Sequence, residues 1–108
     1  MKVAITSSGN NLDSRIDRRF GRCLFFVIYD TSTGGYEIMP NPNVDRIEGA
    51  GPAAAQLVAG KDVKKIVSGE FGAKVKSLLD QLQIQLISIP DDSRTVRQII
   101  ELLGQAEK

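Results

Sequence analysis

Residues 63–89, VKKIVSGEFGAKVKSLLDQLQIQLISI, decide the fold. Val63 to Ser68 is a short apolar run rich in β-branched side chains, the pattern of a strand. Gly69-Glu70-Phe71-Gly72 then turns the chain, and Val75, Leu78, Leu79 and Leu82 recur at i, i+3, i+4 and i+7, which lines one face of a helix. Ile84 to Ile89 returns to strand character. Two neighbouring strands linked through a helix run parallel, and their crossover is right-handed because a twisted strand feeding a right-handed helix packs back onto the sheet only that way. The stretch therefore predicts an α/β protein.

Working outward, Asp92 or Ser93 is placed to cap a third helix, whose apolar face is Val96, Ile99, Ile100 and Leu103 before Gly104, with the last few residues fraying. Upstream, Pro52 suits the first helical position, Ala53 to Ala59 are good helix formers, and Gly60 suits the C-terminal cap. Lys2 to Thr6 reads as a first strand. Cys23 to Tyr29 is apolar without alternation, as a strand covered on both faces and placed centrally should be. Asp30 to Gly35 supplies turn chemistry, Tyr36 to Met39 closes a hairpin, and Pro40 and Pro42 end it. The order of elements is β-β-β-α-β-α-β-α. An antiparallel meander extended by helix-linked parallel strands gives a ribonuclease H-like mixed five-stranded sheet, and 108 residues suit a single domain over 1–108.

Fourteen basic against thirteen acidic side chains leave no global field to hold nucleic acid or an anionic membrane. No apolar run approaches the roughly 20 residues that span a bilayer, and no N-terminal signal segment is evident, so a cytoplasmic location is expected. The sequence contains no histidine, which removes Ser-His and Cys-His nucleophiles, His-ligated zinc and the commonest general base. Cys23 is the lone cysteine and cannot form an intrachain disulfide. The first strand carries none of the carboxylates that two-metal nuclease chemistry needs. A binding protein, not an enzyme, is the expectation.

In open α/β sheets ligands lie beyond the carboxyl ends of the parallel strands. Three connections reach that end: the loop from Ser7 to Arg22, the loop from Asn41 to Gly51, and the turn from Gly69 to Gly72. Arg15, Arg18, Arg19 and Arg22 crowd the first loop and Arg46 lies in the second. Gly21, Gly49, Gly51, Gly69 and Gly72 permit close backbone approach, and two helices begin there with positive N-terminal ends. Together these features favour an anion. The plainer readings are that Arg15 and Arg18 are solvated or paired with Asp13 and Asp17, that the glycines start helices, and that Cys23 is a small buried hydrophobe.

The succession Asp17-Arg18-Arg19-Phe20-Gly21-Arg22, Phe25 to Asp30, Asn41-Pro42, Gly49-Ala50-Gly51-Pro52 with its alanine-rich helix, and Ile66-Val67-Ser68-Gly69 with Gly72 resembles the dinitrogenase iron-molybdenum cofactor biosynthesis family across nearly the whole chain. The resemblance implies a ribonuclease H-like fold and a carrier that transiently binds an iron-sulfur or iron-molybdenum cluster, or a precursor, between donor and acceptor proteins. Such clusters are anionic, so Arg19, Arg22 and the glycine backbone would suit their surface, and Cys23 would supply a soft ligand to iron. Relatives often carry histidine where Arg19 and the Arg46-Ile47-Glu48 stretch stand here, which leaves Cys23 with Asp13 or Glu48 as metal ligands. The alternative is a regulatory or scaffold module whose arginine loop binds a partner protein or a small phosphate-bearing ligand.

Overall fold

The structure, a computed structural model, describes residues 1–90 and 93–106. Five strands, β1 (Lys2–Ser7), β2 (Phe25–Asp30), β3 (Tyr36–Pro40), β4 (Val63–Ser68) and β5 (Gln85–Ser88), alternate with three helices, α1 (Ala50–Ala59), α2 (Ala73–Gln81) and α3 (Val96–Ala106), in the order β-β-β-α-β-α-β-α. The sheet order is β3-β2-β1-β4-β5. The β1, β2 and β3 neighbours are antiparallel, whereas β1 with β4 and β4 with β5 are parallel, the ribonuclease H-like mixed arrangement.

Side chains alternate between the two faces, and register carries the alternation across strands. Ala4 lies opposite Ile28 and Ile66, and Ile66 opposite Leu86; this row packs under α1 and α2 through Ala54, Ala55, Val58, Val75 and Leu79. Ile5 lies opposite Val27 and Val67; that row packs under α3 through Val96 and Ile99, and under the first loop through Leu12 and Ile16. Each fully buried Leu, Ile or Phe here contributes about 1.5–3 kcal/mol by leaving water. Ala54 and Ala55 of α1 are fully buried in the same cluster as Ala4.

Element ends differ from expectation where a tertiary bond intervenes. The apolar run begins at Cys23, but β2 begins at Phe25, because the Cys23 carbonyl accepts from the Asn41 side-chain amide at 2.9 Å instead of joining the ladder. The middle strand is β1; β2 lies beside it. Pro40 is accommodated because β3 is an edge strand and needs no donor outward. Helix α1 starts two residues before Pro52. Helix α3 runs through Gly104 to Ala106, and its first turn is held reciprocally: the Gln98 N–H donates to Thr95 Oγ1 at 3.2 Å and the Thr95 N–H to Gln98 Oε1 at 2.9 Å. This is a capping box. Of the residues expected to cap α3, Ser93 lies two positions too early and Asp92 is outside the described residues. No helix among the described residues is long and apolar enough to cross a membrane.

Candidate functional site: a pocket at two helix N-termini

The first loop is pinned across the ends of two strands. Thr6 Oγ1 donates to the Asp17 carbonyl at 2.8 Å, and the Gly69 N–H reaches the same carbonyl at 3.2 Å. A Cβ on Gly69 would lie 2.6 Å from Arg18 Cα, so only glycine lets the two backbones touch. The Arg19 backbone then pairs with that of Glu70 in an isolated parallel β-bridge. Phe20 turns inward and is buried, its ring 5.6 Å from both Phe26 and Phe71. Gly21 follows, resting on the start of α1: a Cβ there would lie 2.6 Å from Gly51 N and 2.7 Å from Gly51 Cα. A Cβ on Gly51 would in turn collide with the Val75 side chain on α2.

This stack of loop, α1 and α2 encloses an open pocket of about 540 Å³. Arg19, Arg22, Glu70 and Lys74 supply its charged groups, and Phe20, Pro52, Phe71 and Val75 its apolar walls. Both helices start in it. Gly49 caps α1 in a left-handed conformation (φ 72) and Gly72 caps α2 in an extended one, and neither helix has a side chain bonded to its first amides. Those amides, Ala50 and Gly51 on α1, where Pro52 has no N–H, and Ala73, Lys74 and Val75 on α2, are donors without intrahelical partners, and the aligned dipoles give each end partial positive charge. Neither first turn carries an acidic residue; α2 carries Lys74 there instead. A cation at that position opposes the helix dipole, a local cost that makes sense where an anion is to be received.

The pocket brings together Arg19, Gly21, Arg22, Gly51 and Gly72. Gly72 is open: nothing lies within 4 Å of a Cβ placed on it. Gly49 and Gly69 lie outside the lining, the first beside the Arg46 guanidinium and the second beneath Arg18. Arg22 also ties the second loop, donating to the Val44 carbonyl at 3.2 Å and the Ile47 carbonyl at 3.5 Å. The Arg46 side chain turns back to the Glu48 carbonyl at 3.0 Å.

Cys23 and Asp13 are not brought to the pocket or to each other. Cys23 is fully buried and its thiol donates to the Phe20 carbonyl at 3.3 Å. Burial first, and the charge of Asp17 second, push its pKa far above the ordinary thiol value, so it stays protonated. Asp13 is exposed and accepts from Arg97 on α3, on the opposite face of the sheet, at 2.9 Å; that hydrogen bond, together with the Arg97 charge, lowers its pKa. Among the described residues no three cysteine or carboxylate side chains gather as a metal-binding group. Sequence reasoning passed over Lys74 and Phe71. Lys74 was legible as a cation misplaced in a first turn; Phe71 was visible only as an aromatic between two glycines.

The orange protein of Desulfovibrio gigas, solved in its apo form, matches with a TM-score of 0.90 and 30% identity, covering 98% of this chain and 88% of that chain. A NifB-like protein of the DUF35 family from Thermotoga, solved by NMR, matches with a TM-score of 0.81 and 28% identity, covering 96% of this chain and 87% of that one. No curated protein sequence matches at a significant level. The chain belongs to the dinitrogenase iron-molybdenum cofactor family, whose profile matches residues 1–106.

Proposed function

We propose that the protein is a non-catalytic carrier that holds an anionic metal-sulfur cluster, or a cluster precursor, in the pocket between α1 and α2 and passes it between donor and acceptor proteins. The observation that carries this reading is the opening of two helix N-termini, each capped by a glycine with no side-chain bond to its amides, into one pocket whose charged groups are Arg19, Arg22 and Lys74 against the single carboxylate of Glu70. Backbone N–H groups and cations suit the sulfide or oxo surface of a cluster, while Phe20, Phe71 and Pro52 give that weakly hydrated surface an apolar bed. Family membership supports a metallocluster as the anion. In this reading charge and hydrogen bonding grip the cluster, without a bond from Cys23 or Asp13. Such a grip suits release, since nothing covalent has to be exchanged.

Anaerobic reconstitution with iron and sulfide, and separately with molybdenum, tests the proposal through bound metal and visible absorption. Wild type and Cys23→Ala should both hold cluster, and the Arg19→Ala, Arg22→Ala, Lys74→Ala triple variant should lose most of it. Retention in low salt should weaken as ionic strength rises. A wild type that holds no metal-sulfur species overturns the reading. Loss confined to Cys23→Ala overturns the noncovalent grip.

A second reading, a module that docks a partner protein through the arginine loop, is favoured by Ile47. That side chain is 93% exposed in the loop tied to Arg22. A metal-free pull-down whose partner is lost in Arg19→Ala and Arg22→Ala supports it.

A further inference from the structure

We infer that Asn41 is a positioning residue for the pocket: its buried amide clamps the peptide carbonyls on both sides of Arg22 and so aims the guanidinium. Asn41 Nδ2 donates to the Gly21 carbonyl at 3.0 Å and to the Cys23 carbonyl at 2.9 Å. Its Oδ1 accepts from the Asn43 N–H at 3.0 Å and from Asn43 Nδ2 at 3.2 Å, and its own N–H bonds the Leu24 carbonyl at 2.9 Å. The orientation of the amide is fixed by these partners, because two carbonyls accept and an N–H donates, and the reverse assignment would oppose acceptor to acceptor. Asn41 is 6% exposed, so water does not substitute readily for the clamp.

The same side chain governs both ends of the Arg22 contact. On one side it fixes the backbone from which the guanidinium extends. On the other it holds Asn43, the start of the loop whose Val44 and Ile47 carbonyls receive that guanidinium. Without it, Arg22 has neither a fixed base nor fixed acceptors, and a pocket cation becomes a mobile side chain that must be ordered afresh when an anion arrives. The clamp deepens the carrier reading and rests on it only where cluster affinity is concerned.

Two measurements decide it, on Asn41→Ala and on Asn41→Asp, which keeps the shape but turns an acceptor toward the two carbonyls; thermal melting selects conditions where both are folded. The first is the relaxation of the Arg22 Nε–H by NMR, which needs no cargo. It should report an ordered side chain in wild type and a mobile one in both variants. The second is the affinity for cluster reconstituted from iron and sulfide in a double-mutant cycle with Arg22→Ala. Asn41→Ala should weaken binding about tenfold when Arg22 is present and less than about twofold when it is absent, since coupled residues are not additive. An Arg22 side chain equally ordered in wild type and variants, or an equal affinity loss in both backgrounds, overturns the inference. If wild type holds no cluster, the carrier reading fails and the Arg22 relaxation alone decides the clamp.

Discussion

Replacing Gly21 by alanine tests the stack that shapes the pocket. The added methyl would sit 2.6 Å from Gly51 N, 2.7 Å from Gly51 Cα and 2.9 Å from the Ala50 carbonyl carbon. All three are backbone atoms in the first turn of α1, so no side-chain rotation relieves the overlap and the loop must lift by about 1 Å. Overpacking of this kind costs about 1–3 kcal/mol, and rigid neighbours place it at the upper end. The stiffer unfolded chain returns about 0.4–1 kcal/mol, leaving a net loss of about 2 kcal/mol. With an unfolding entropy of about 2.1 cal/mol/K per residue, a chain of this size loses about 9 °C in Tm. Circular dichroism melts and urea titrations of the metal-free protein read both numbers. Gly72→Ala is the control: its Cβ meets nothing within 4 Å and its φ is −70, so its stability should change by less than about 1 kcal/mol. A Gly21→Ala protein melting within about 2 °C of wild type would show that the loop does not rest on α1 as described.

Three further outcomes follow from single features. Gly104 lies inside α3 with nothing within 4 Å of a Cβ placed on it, so Gly104→Ala should stabilise by about 0.5–1 kcal/mol in urea unfolding; destabilisation would mean the helix ends before it. Thr95→Ala removes one half of the capping box and should cost about 1 kcal/mol by the same assay, with Thr95→Ser nearly neutral. The buried Cys23 thiol keeps its proton in the folded state while the unfolded chain ionises near pH 9.0, so above that pH the unfolded state binds fewer protons and stability falls by about 1.4 kcal/mol per pH unit. Below it both states are protonated and the residue contributes no pH dependence. Urea titrations from pH 8 to 10.5 should show this extra slope in wild type and not in Cys23→Ala; equal slopes refute the buried, protonated thiol.

The second half of the chain was legible because its signals are local. Val75, Leu78 and Leu79 at helical spacing and the apolar runs on either side place β4, α2 and β5 with little help from the rest of the molecule. Ends set by distant partners were not: nothing in Cys23-Leu24-Phe25 says that a side chain eighteen residues later takes the Cys23 carbonyl. The α3 cap was written in Thr95-Val96-Arg97-Gln98, yet Ser93 and Asp92 look equally good without the reciprocal geometry. At the site, the arginine and glycine density of the loops pointed to the end of the sheet where the pocket between α1 and α2 lies. What each glycine does was hidden, since Gly21, Gly51 and Gly69 give room to other parts of the chain, and only the folded neighbours reveal whose Cβ would collide. The depth of Cys23 is likewise a tertiary fact, decided by Phe20 and Asn41 closing over it.

Strand order has a consequence for how the chain acquires its shape during synthesis. β1 is made first, yet it is the middle strand, and its partner β4 lies about sixty residues later. The β1-β2-β3 meander can pair as soon as it leaves the ribosome, but the β1 edge that receives β4 then stands open, a row of unpaired amides and carbonyls beside Val3 and Ile5. Until Ser68 emerges, the meander has two open edges, this one and the outer edge of β3, and α1, made in the interval, has only part of the sheet to lie on. Translation that lingers between residues 41 and 62 prolongs this interval, whereas a pause after β5 does not.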